Sequence, residues 1–437
     1  MLNWKRLHPV VILVTWFVIS LTTVSYRCSA QPENLFHPCM NLVPDEKIKT
    51  VLLFRENAPM TIPVINLNSG EKLELHFDDL SGEQRIFSYT LIHCDAQWEP
   101  SHLEPQEYLD GFGSGVIEKV TASFNTTCDY FHHSLVFPSE EASPRISGNY
   151  SIVVYPSHDP ENVVLIRQFY VAEPLVTLEA EIRQPTGDKY YTGQEIECRI
   201  LYPGYSIADP SGDIRVLIRQ NGNPQTERSI HKPWFVGPEK LEYGGNGSIV
   251  FDGGNEFRYF DSKSMKYAAE HISHIDFQNP WYHVFLKPDE PRTYDPYFTQ
   301  PELNGNYYVE TENSQDRHTE ADYVYVHFQM PAQLPYTDAD IFIFGALSDW
   351  STGDAFRMSY NASLRCYEKA LLLKQGFYNY LYAYLQTGSL VPDMGYLEGN
   401  HYETENEYTF LVYHSDPAWD YDRLIAVHQI RSNGKQQ

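Results

Sequence analysis

Pairs of carboxylates are the residues in this sequence whose type would suit acid–base chemistry. The candidates are Asp78-Asp79, Glu83 and the pair Glu403 and Glu405. A glycosidase needs two carboxyl groups held about 5–10 Å apart in a cleft. Because the chain has 58 acidic residues, neighbouring carboxylates arise without such a role. Asp78-Asp79-Leu-Ser-Gly is therefore interpreted as a turn that ends a strand, and no catalytic residue is predicted.

Two histidine pairs have spacings that a metal site could use. His271 and His274 lie on a predicted helix, where residues three apart share a face. This pair lacks further ligands in motif spacing, so a surface or interface pair is the simpler interpretation. His132 and His133 would point to opposite faces of a strand and therefore cannot bind one ion.

An oxygen-rich loop is the remaining metal candidate. The segment FDGGNEFRYFD at 251–261 offers Asp252, Asn255, Glu256 and Asp261, whose oxygens would suit Ca²⁺. Its spacing is not that of an EF-hand, and a glycine-rich turn between strands explains it equally well. The sequence has no phosphate loop or dinucleotide fingerprint, and GFGSG at 111–115 is not a nucleophile elbow. We predict no metal and no cofactor, and leave calcium binding by this loop open.

Length, composition and charge exclude several classes of protein. The chain has 437 residues, of which 42% are hydrophobic, enough to bury large cores and to exclude wholesale disorder. Its length suggests two or three domains. A formal net charge of −26 argues against a nucleic-acid-binding protein, which would present a basic face.

The first 30 residues are predicted to be a cleaved secretory signal. Lys5 and Arg6 precede a largely apolar run from Val10 to Val24, and Ala30 supplies a small residue at the cleavage site. An uncleaved anchor and a lipoprotein Cys28 are the alternatives. The run is short for a membrane span of about 20 residues. The mature protein is therefore expected to be exported.

Five cysteines remain after that cleavage, and their wide, odd spacing does not form a disulfide framework. Cys94 and Cys198 lie in alternating apolar runs, which favours buried thiols. One bridge, for example Cys94–Cys128, is compatible with export but is not implied. The pairing stays open.

Apolar residues alternate with period two along most of the chain, which is typical of half-buried strands. The predicted fold class is all-β, with three consecutive immunoglobulin-like antiparallel β-sandwiches. The expected ranges are an extended lead-in over 31–46 and sandwiches over 47–173, 174–319 and 320–437. The middle range is expected to include irregular loops and one short helix from about Ser262 to His274.

The C-terminal range resembles the carbohydrate-binding modules of glycogen-branching enzymes and of the AMP-activated kinase β-subunit. The matching residues are Gly345, Trp350, Met358, Gly376, Tyr378 and Tyr380. The glucan-binding members also use a lysine, where this chain has Leu381 or Tyr382, and a second tryptophan, which is missing here. The resemblance implies an early-set immunoglobulin-like fold, and carbohydrate binding is kept as the alternative function.

Nearly all of the mature chain resembles the plug protein of the Bacteroidota type IX secretion system. The resemblance rests on many motifs in order: IKTVLLFRE (48–56), LELHFDDLSGEQRIFSYTLIHCDAQWEPSHLEPQEYLDGF (73–112), SFNTTCDYFHHSLVFP (123–138), FDGGNEFRYFD, PDEPR (288–292), EADYVYVHF (320–328) and EGNHYETENEYTFLVY (398–413). It implies a non-enzymatic periplasmic protein that closes the periplasmic opening of a giant outer-membrane β-barrel translocon.

Aromatic residues are the predicted contacts for such a partner or for a glycan. The chain has 33 Tyr and 7 Trp, and aromatic side chains are enriched at the cores of interfaces. Tyr is also a good strand former, which explains most of them. The selected residues are Trp98, Tyr108, Trp350, Tyr378 and Tyr380.

Overall fold

The computed structural model describes residues 37–245, 247–312, 314–415 and 419–432. Strands hold 46% of the residues and helices 6%, so the prediction of an all-β fold is confirmed. The predicted signal, residues 1–30, lies outside the described residues, as does the lead-in up to residue 36. From residue 38 onward the chain forms a single compact unit, and its described part contains no helix long and apolar enough to cross a membrane.

The first sandwich follows the period-two pattern of the sequence. Leu75 and Phe77 of one sheet and Tyr89 and Leu91 of the other are at most 1% exposed and meet in one core. The elements are β1 (Ile48–Arg55), β2 (Val64–Asn66), β3 (Leu73–Asp79), β4 (Phe87–Cys94), α1 (Pro105–Tyr108), β5 (Leu109–Gly111), β6 (Ser114–Ile117), β7 (Lys119–Ala122), β8 (Phe131–Phe137), β9 (Ala142–Pro144), β10 (Gly148–Pro156) and β11 (Leu165–Ala172). The two sheets have strand orders β1-β3-β8-β7 and β2-β11-β10-β4-β6.

A disulfide fastens the lead-in to this sandwich. Cys39 is bonded to Cys94 at the end of β4, with 6.3 Å between their Cα atoms. The Cys94–Cys128 bridge considered from the sequence is not formed, and Cys94 is not a thiol. Cys128, Cys198 and Cys366 are the free cysteines of the described residues. Spacing could not identify the pair because the two partners meet through the fold.

The middle part of the chain contributes seven consecutive strands to the second sandwich. They are β12 (Thr177–Arg183), β13 (Gly193–Leu201), β14 (Ile214–Gln220), β15 (Arg228–Ile230), β16 (Phe235–Gly237), β17 (Lys240–Tyr243) and β18 (Val250–Asp252), with short 3-10 turns at Gly187–Lys189 and Pro224–Thr226. One sheet has the order β12-β13-β17-β16, with β18 also paired to β13.

A third pair of sheets follows. Its elements are β19 (Arg258–Asp261), β20 (Ile272–Gln278), β21 (Trp281–Leu286), β22 (Tyr307–Val309), α2 (Arg317–Glu320), β23 (Tyr323–Pro331), β24 (Ala339–Phe344), β25 (Ser359–Asn361), β26 (Cys366–Lys374), β27 (Gly376–Gln386) and α3 (Gly395–Glu398), with 3-10 turns at Ala346–Ser348 and Asp354–Phe356. The orders are β20-β21-β23-β26-β25 and β19-β27-β22, with β24 on β27. Phe260, Val326, Phe328 and Tyr380 fill the core between them.

The helix predicted from Ser262 to His274 is wrong. The segment is irregular after β19, His271 has a left-handed φ of 65°, and β20 begins at Ile272. β20 forms an antiparallel hairpin with β21, so its backbone hydrogen bonds are made to the neighbouring strand. Met265 and Ala269 in this irregular segment pack against the third core.

The last two strands return to the middle sandwich. β28 (Glu407–His414) pairs with β14, and β29 (Arg423–Arg431) pairs with β28. The second sheet of the middle sandwich is therefore β15-β14-β28-β29. The third pair of sheets is inserted in the sequence between β18 and β28 of this sandwich. The expected ranges 174–319 and 320–437 do not coincide with these sheets, because alternation marks a strand but not the sheet that it joins.

Candidate functional site: the junctions between the sandwiches

A buried ion pair joins the first sandwich to the third. Asp78, next to the last residue of β3, accepts hydrogen bonds from Lys374 Nζ at 2.6 Å, from the Tyr323 hydroxyl at 2.6 Å and from His132 Nδ1 at 2.7 Å. The side chains of Asp78 and Lys374 are each 1% exposed. Burial raises the pKa of Asp78, but the Lys374 charge and the hydrogen bonds outweigh it and hold the pKa below its usual range. Asp78 is therefore a carboxylate whose partners come from two sandwiches.

The remaining contacts of Lys374 complete this network. Its ammonium group donates to the main-chain oxygen of His318 at 2.6 Å and lies 4.2 Å from the ring centre of Tyr130. The Tyr130 hydroxyl in turn donates to the main-chain oxygen of Ala321 at 2.7 Å. Because a buried charge without partners is costly, this arrangement specifies one relative placement of the two sandwiches.

Three histidines lie beside the ion pair. They are His76 on β3, His132 on β8 and His318 on α2, and their ring centres are 4.5–5.3 Å apart. His76 Nδ1 and His132 Nε2 are 3.1 Å apart and share a hydrogen bond. Burial, followed by the neighbouring histidines, lowers the pKa of His76 to about 3 and that of His318 to about 4. These two rings are neutral at pH 7.

The junction between the first and second sandwiches is mainly apolar. Trp98 packs edge-on against Tyr170, with 5.3 Å between the ring centres, and Leu217 of β14 belongs to the same cluster. Within it the buried Tyr413 hydroxyl donates to Asn149 Oδ1 at 2.6 Å. The junction thus combines apolar burial with one buried hydrogen bond between the sandwiches.

A second buried carboxylate holds α3 against the third core. Glu398 is 1% exposed and accepts hydrogen bonds from Arg292 Nε at 2.6 Å, Arg258 Nε at 3.0 Å and the Tyr382 main-chain N–H at 2.8 Å. Burial raises the pKa of Glu398, but the two guanidinium groups outweigh it, so the pKa falls to about 2. Tyr380 and Tyr382 both donate to Asp289 in the same network.

All three sandwiches contribute to the wall of one cavity of about 260 Å³. Its lining includes Tyr170, Arg219, Tyr307, His318, Trp350 and Leu411. Burial, followed by the charge of Glu256, raises the pKa of Glu302 to about 8, and burial also raises the pKa of Glu256. Neither of these carboxyls is among the residues that line the cavity. The carboxylates that do line it are paired with arginines, Asp349 with Arg167 at 2.9 Å and Glu407 with Arg431 at 3.3 Å.

The predicted contact tyrosines are interior residues. Tyr108, Tyr378 and Tyr380 are 6%, 2% and 1% exposed in the first and third cores. The Tyr378 hydroxyl donates to the main-chain oxygen of Lys374 at 2.5 Å. In this structure the three rings stabilise cores and are not available to a partner, contrary to the expectation from sequence.

The predicted contact tryptophans are only partly exposed. Trp98 belongs to the first junction described above. Trp350 packs edge-on against Phe344 and Phe257, with ring-centre distances of 5.5 and 6.0 Å, and lines the cavity. Neither forms the open aromatic platform that a glycan would stack on.

The oxygen-rich loop does not gather its four candidate ligands. Asp252 pairs with Lys189, Asn255 donates to the main-chain oxygen of Glu398, and Asp261 pairs with Lys263. Glu256 accepts from the Tyr297 hydroxyl at 2.5 Å. His271 precedes β20 and is half-buried, and His274 lies within β20 and is exposed, so they do not share a helix face.

Sequence reasoning missed the junction residues. Asp78 and Asp79 stand next to each other, yet Asp78 faces Lys374 whereas Asp79 accepts from Arg85 Nε at 2.6 Å. β3 ends at Asp79, and its carboxylate caps the following turn by accepting from the Ser81 N–H, so the turn was correctly located. Asp78 shares its strand face with Glu74 and His76, opposite the apolar residues of β3, so alternation alone predicted a solvent-facing side chain there.

The surface of the second sandwich carries an exposed apolar edge. Trp234, Phe235 and Val236 are 64%, 42% and 46% exposed, and β16 is the last strand of its sheet. Trp234 also borders an open trough of about 1430 Å³, which Leu178 and Ile430 line as well. An exposed apolar edge strand is a surface to which other chains can pair.

Two of three comparisons with known proteins found a match. The profile of the family described as "Type 9 secretion system plug protein 1st domain" matches residues 48–173, which is the first sandwich. A crystal structure of a hypothetical protein from Parabacteroides merdae superposes with a TM-score of 0.87 at 32% identity, covering 90% of this chain and 99% of that chain. No curated protein matches the chain.

Proposed function

The chain belongs to the family of type 9 secretion system plug proteins, and from this premise we propose that it closes the periplasmic opening of the outer-membrane translocon. It acts by occupying space rather than by catalysis. The observation that carries this proposal is the family match over the whole first sandwich. The family relates the chain to type 9 secretion and to the periplasmic side of the outer membrane, and the plugging itself is the step proposed here.

The junctions support this function because a plug must resist deformation. Asp78, Lys374 and Tyr323 interlock the first and third sandwiches, and Tyr413 with Asn149 interlocks the first and second. Buried polar contacts of this kind are satisfied in one arrangement only. Such a body presents a fixed surface to a wide pore.

The chemistry of the side chains supports a non-enzymatic role. Burial, followed by neighbouring carboxylates, raises the pKa of Cys128 to about 11, and burial alone raises that of Cys198 to about 12, so both are protonated thiols at pH 7. Glu398 and Asp78 are saturated by cationic and hydroxyl donors. Each of these candidate reactive groups is therefore occupied or unreactive.

Export to the periplasm is supported by the disulfide between Cys39 and Cys94. Disulfides persist in oxidising compartments such as the bacterial periplasm. The bridge is thus consistent with the secretory signal predicted over residues 1–30, and both belong to the proposal.

The exposed edge at β16 is the contact that we assign to the translocon. Trp234 and Phe235 place two large rings in solvent beside an unpaired strand edge. Aromatic side chains that are exposed in the free protein and buried in a complex supply much of the binding energy of interfaces.

Affinity purification from gently solubilised envelopes tests the proposal. The tagged protein should recover one very large outer-membrane β-barrel, identified by mass spectrometry. Trp234→Ser with Phe235→Ser should weaken recovery at least tenfold. The matched control is Tyr294→Ser with Phe298→Ser, which removes two rings that are 96% and 76% exposed elsewhere.

The outcomes separate the function from the contact. Recovery of the wild-type protein without any such barrel would contradict the plug. Recovery that is equal for both double variants would retain the plug and contradict the assignment of the β16 edge.

A further inference from the structure

The three junction histidines have the composition of a metal site. Among the described residues they form the one group of three or more His, Cys, Asp or Glu side chains that can each offer a ligand atom, with these atoms all within 4.8 Å of one another. His76 and His132 come from neighbouring strands of the first sandwich, and His318 comes from α2, between β22 and β23 of the third pair of sheets. Imidazole nitrogen is a preferred ligand of zinc.

The hydrogen bonds orient His132 as metal-binding histidines are oriented. Its Nδ1–H donates to the Asp78 carboxylate at 2.7 Å, which leaves the lone pair on Nε2. Metal ligands commonly hold the second ring nitrogen against a carboxylate in this manner, because the contact fixes the tautomer and raises ligand basicity. In this structure Nε2 faces the ring of His76.

His76 has a buried nitrogen that the described residues leave without a hydrogen bond. His76 is 9% exposed, and its Nε2 is enclosed with no donor or acceptor in reach, the Glu74 carboxylate being 3.6 Å away. Burying such a group without a partner is unfavourable. Coordination would give His76 Nε2 a partner, and His132 Nε2 would exchange its hydrogen bond with His76 for the metal.

We propose that His76, His132 and His318 bind one zinc ion that joins the first sandwich to α2. With zinc–nitrogen bonds of about 2.1 Å, tetrahedral ligation places imidazole ring centres about 5 Å apart. The observed ring-centre distances of 4.5, 4.9 and 5.3 Å are close to this spacing. The rings are stacked here at interplanar angles of 5°, 28° and 24°, so they would have to turn about their side-chain bonds to direct their nitrogens at one ion. The fourth position is left to water.

The donor set favours zinc over the hard cations. Ca²⁺ and Mg²⁺ require oxygen ligands, whereas three imidazole nitrogens suit zinc and its neighbours in the first transition row. Lys374 opposes a cation nearby, but its charge is balanced at 2.6 Å by the Asp78 carboxylate. The ion would act as a structural link, and this inference does not depend on the plug function.

Metal titration of the full mature protein tests the site. The protein carries a tag without histidine, is freed of metal with a chelator, and is titrated with Zn²⁺ by calorimetry and with Co²⁺ by visible absorption. We expect one ion per chain, cobalt bands typical of four-coordinate nitrogen ligation, and a melting temperature that rises with zinc.

The variants make the test specific. His318→Gln changes a half-buried residue on a four-residue helix and should weaken zinc binding at least a hundredfold. Asp78→Asn should weaken it 10–100-fold through His132. His271→Gln with His274→Gln is the matched control outside the junction and should leave binding unchanged.

Three results would overturn the proposal. The first is the absence of stoichiometric binding at micromolar zinc. The second is binding that His318→Gln leaves intact while circular dichroism shows a folded chain. The third is binding that the control double variant removes.

Discussion

Replacing Lys374 by Met is expected to destabilise the protein by an amount that depends on pH. Lys374 supplies the positive partner of Asp78 at 2.6 Å, and both side chains are 1% exposed. Met keeps the length of the side chain but leaves the carboxylate with hydrogen bonds from His132 and Tyr323 only. Removing one partner of a buried pair typically costs about 3–5 kcal/mol.

Protonation of Asp78 sets an upper limit to this cost. In the variant the folded-state pKa of Asp78 rises above its unfolded value of about 3.9. The buried carboxylate can therefore be neutralised by a proton in place of the missing Lys374 charge. Protonating a carboxyl group with the unfolded pKa costs about 4 kcal/mol of free energy at pH 7 and about 1.5 kcal/mol at pH 5, and the loss of stability cannot exceed this cost. A raised folded pKa means that the lost stability returns as the pH falls, so the deficit should shrink between pH 7 and pH 5.

Urea unfolding followed by tryptophan fluorescence at both pH values measures this difference against the wild-type protein. Lys369→Met on the same strand is the matched control, and it should cost less than about 1 kcal/mol because no buried carboxylate faces it. Adding Asp78→Asn to Lys374→Met should remove the pH dependence. A loss below 1 kcal/mol at pH 7, or an equal loss at both pH values, would refute the reasoning.

Three further predictions concern stability. Burial lowers the pKa of His93 to about 4, so on acidification the unfolded ring protonates first and the wild-type protein should lose about 1.4 kcal/mol of stability per pH unit between pH 6.5 and 4. His93→Gln should remove this contribution to the pH dependence. Urea midpoints across this range measure the difference. Cys39→Ser should lower the free energy of unfolding by about 4 kcal/mol, since the bridge closes a loop with a sequence separation of 55; reductant should reproduce the loss in wild type and not in the variant. Tyr413→Phe should cost about 1–3 kcal/mol by leaving Asn149 Oδ1 unpaired, and an unchanged melting temperature would contradict this.

The strands were predictable from the sequence because alternation is a local property. Leu73, Leu75 and Phe77 alternate with polar residues, and all three are fully buried. The strand WYHVFL at 281–286 coincides with β21. At these positions the apolar or polar type of each side chain indicates whether it faces a core.

The allocation of strands to sheets was not predictable in the same way. Tyr408, Phe410 and Val412 alternate as expected for β28, yet the strand pairs with β14, almost 200 residues earlier. Nothing in the residues of β28 distinguishes the second sandwich from the third. Long-range pairing is decided by the shapes of complete sheets, which one sequence does not display.

The junction between the first and third sandwiches could not be predicted from the sequence for a related reason. Asp78 and Lys374 are 296 residues apart, so no spacing rule relates them. The aromatic residues chosen as contacts were selected by type, and type alone does not separate a core tyrosine such as Tyr380 from a surface ring such as Tyr294. Burial, which decides between these roles, is a property of the packed fold.

Entry of a large hydrophilic dye through the outer membrane is the most direct test of the plug. In cells that lack this protein but keep the translocon barrel, dye entry should rise, return to the wild-type level when the protein is supplied again, and disappear when the barrel is also deleted. Unchanged dye entry in the presence of a normal amount of barrel would contradict the account.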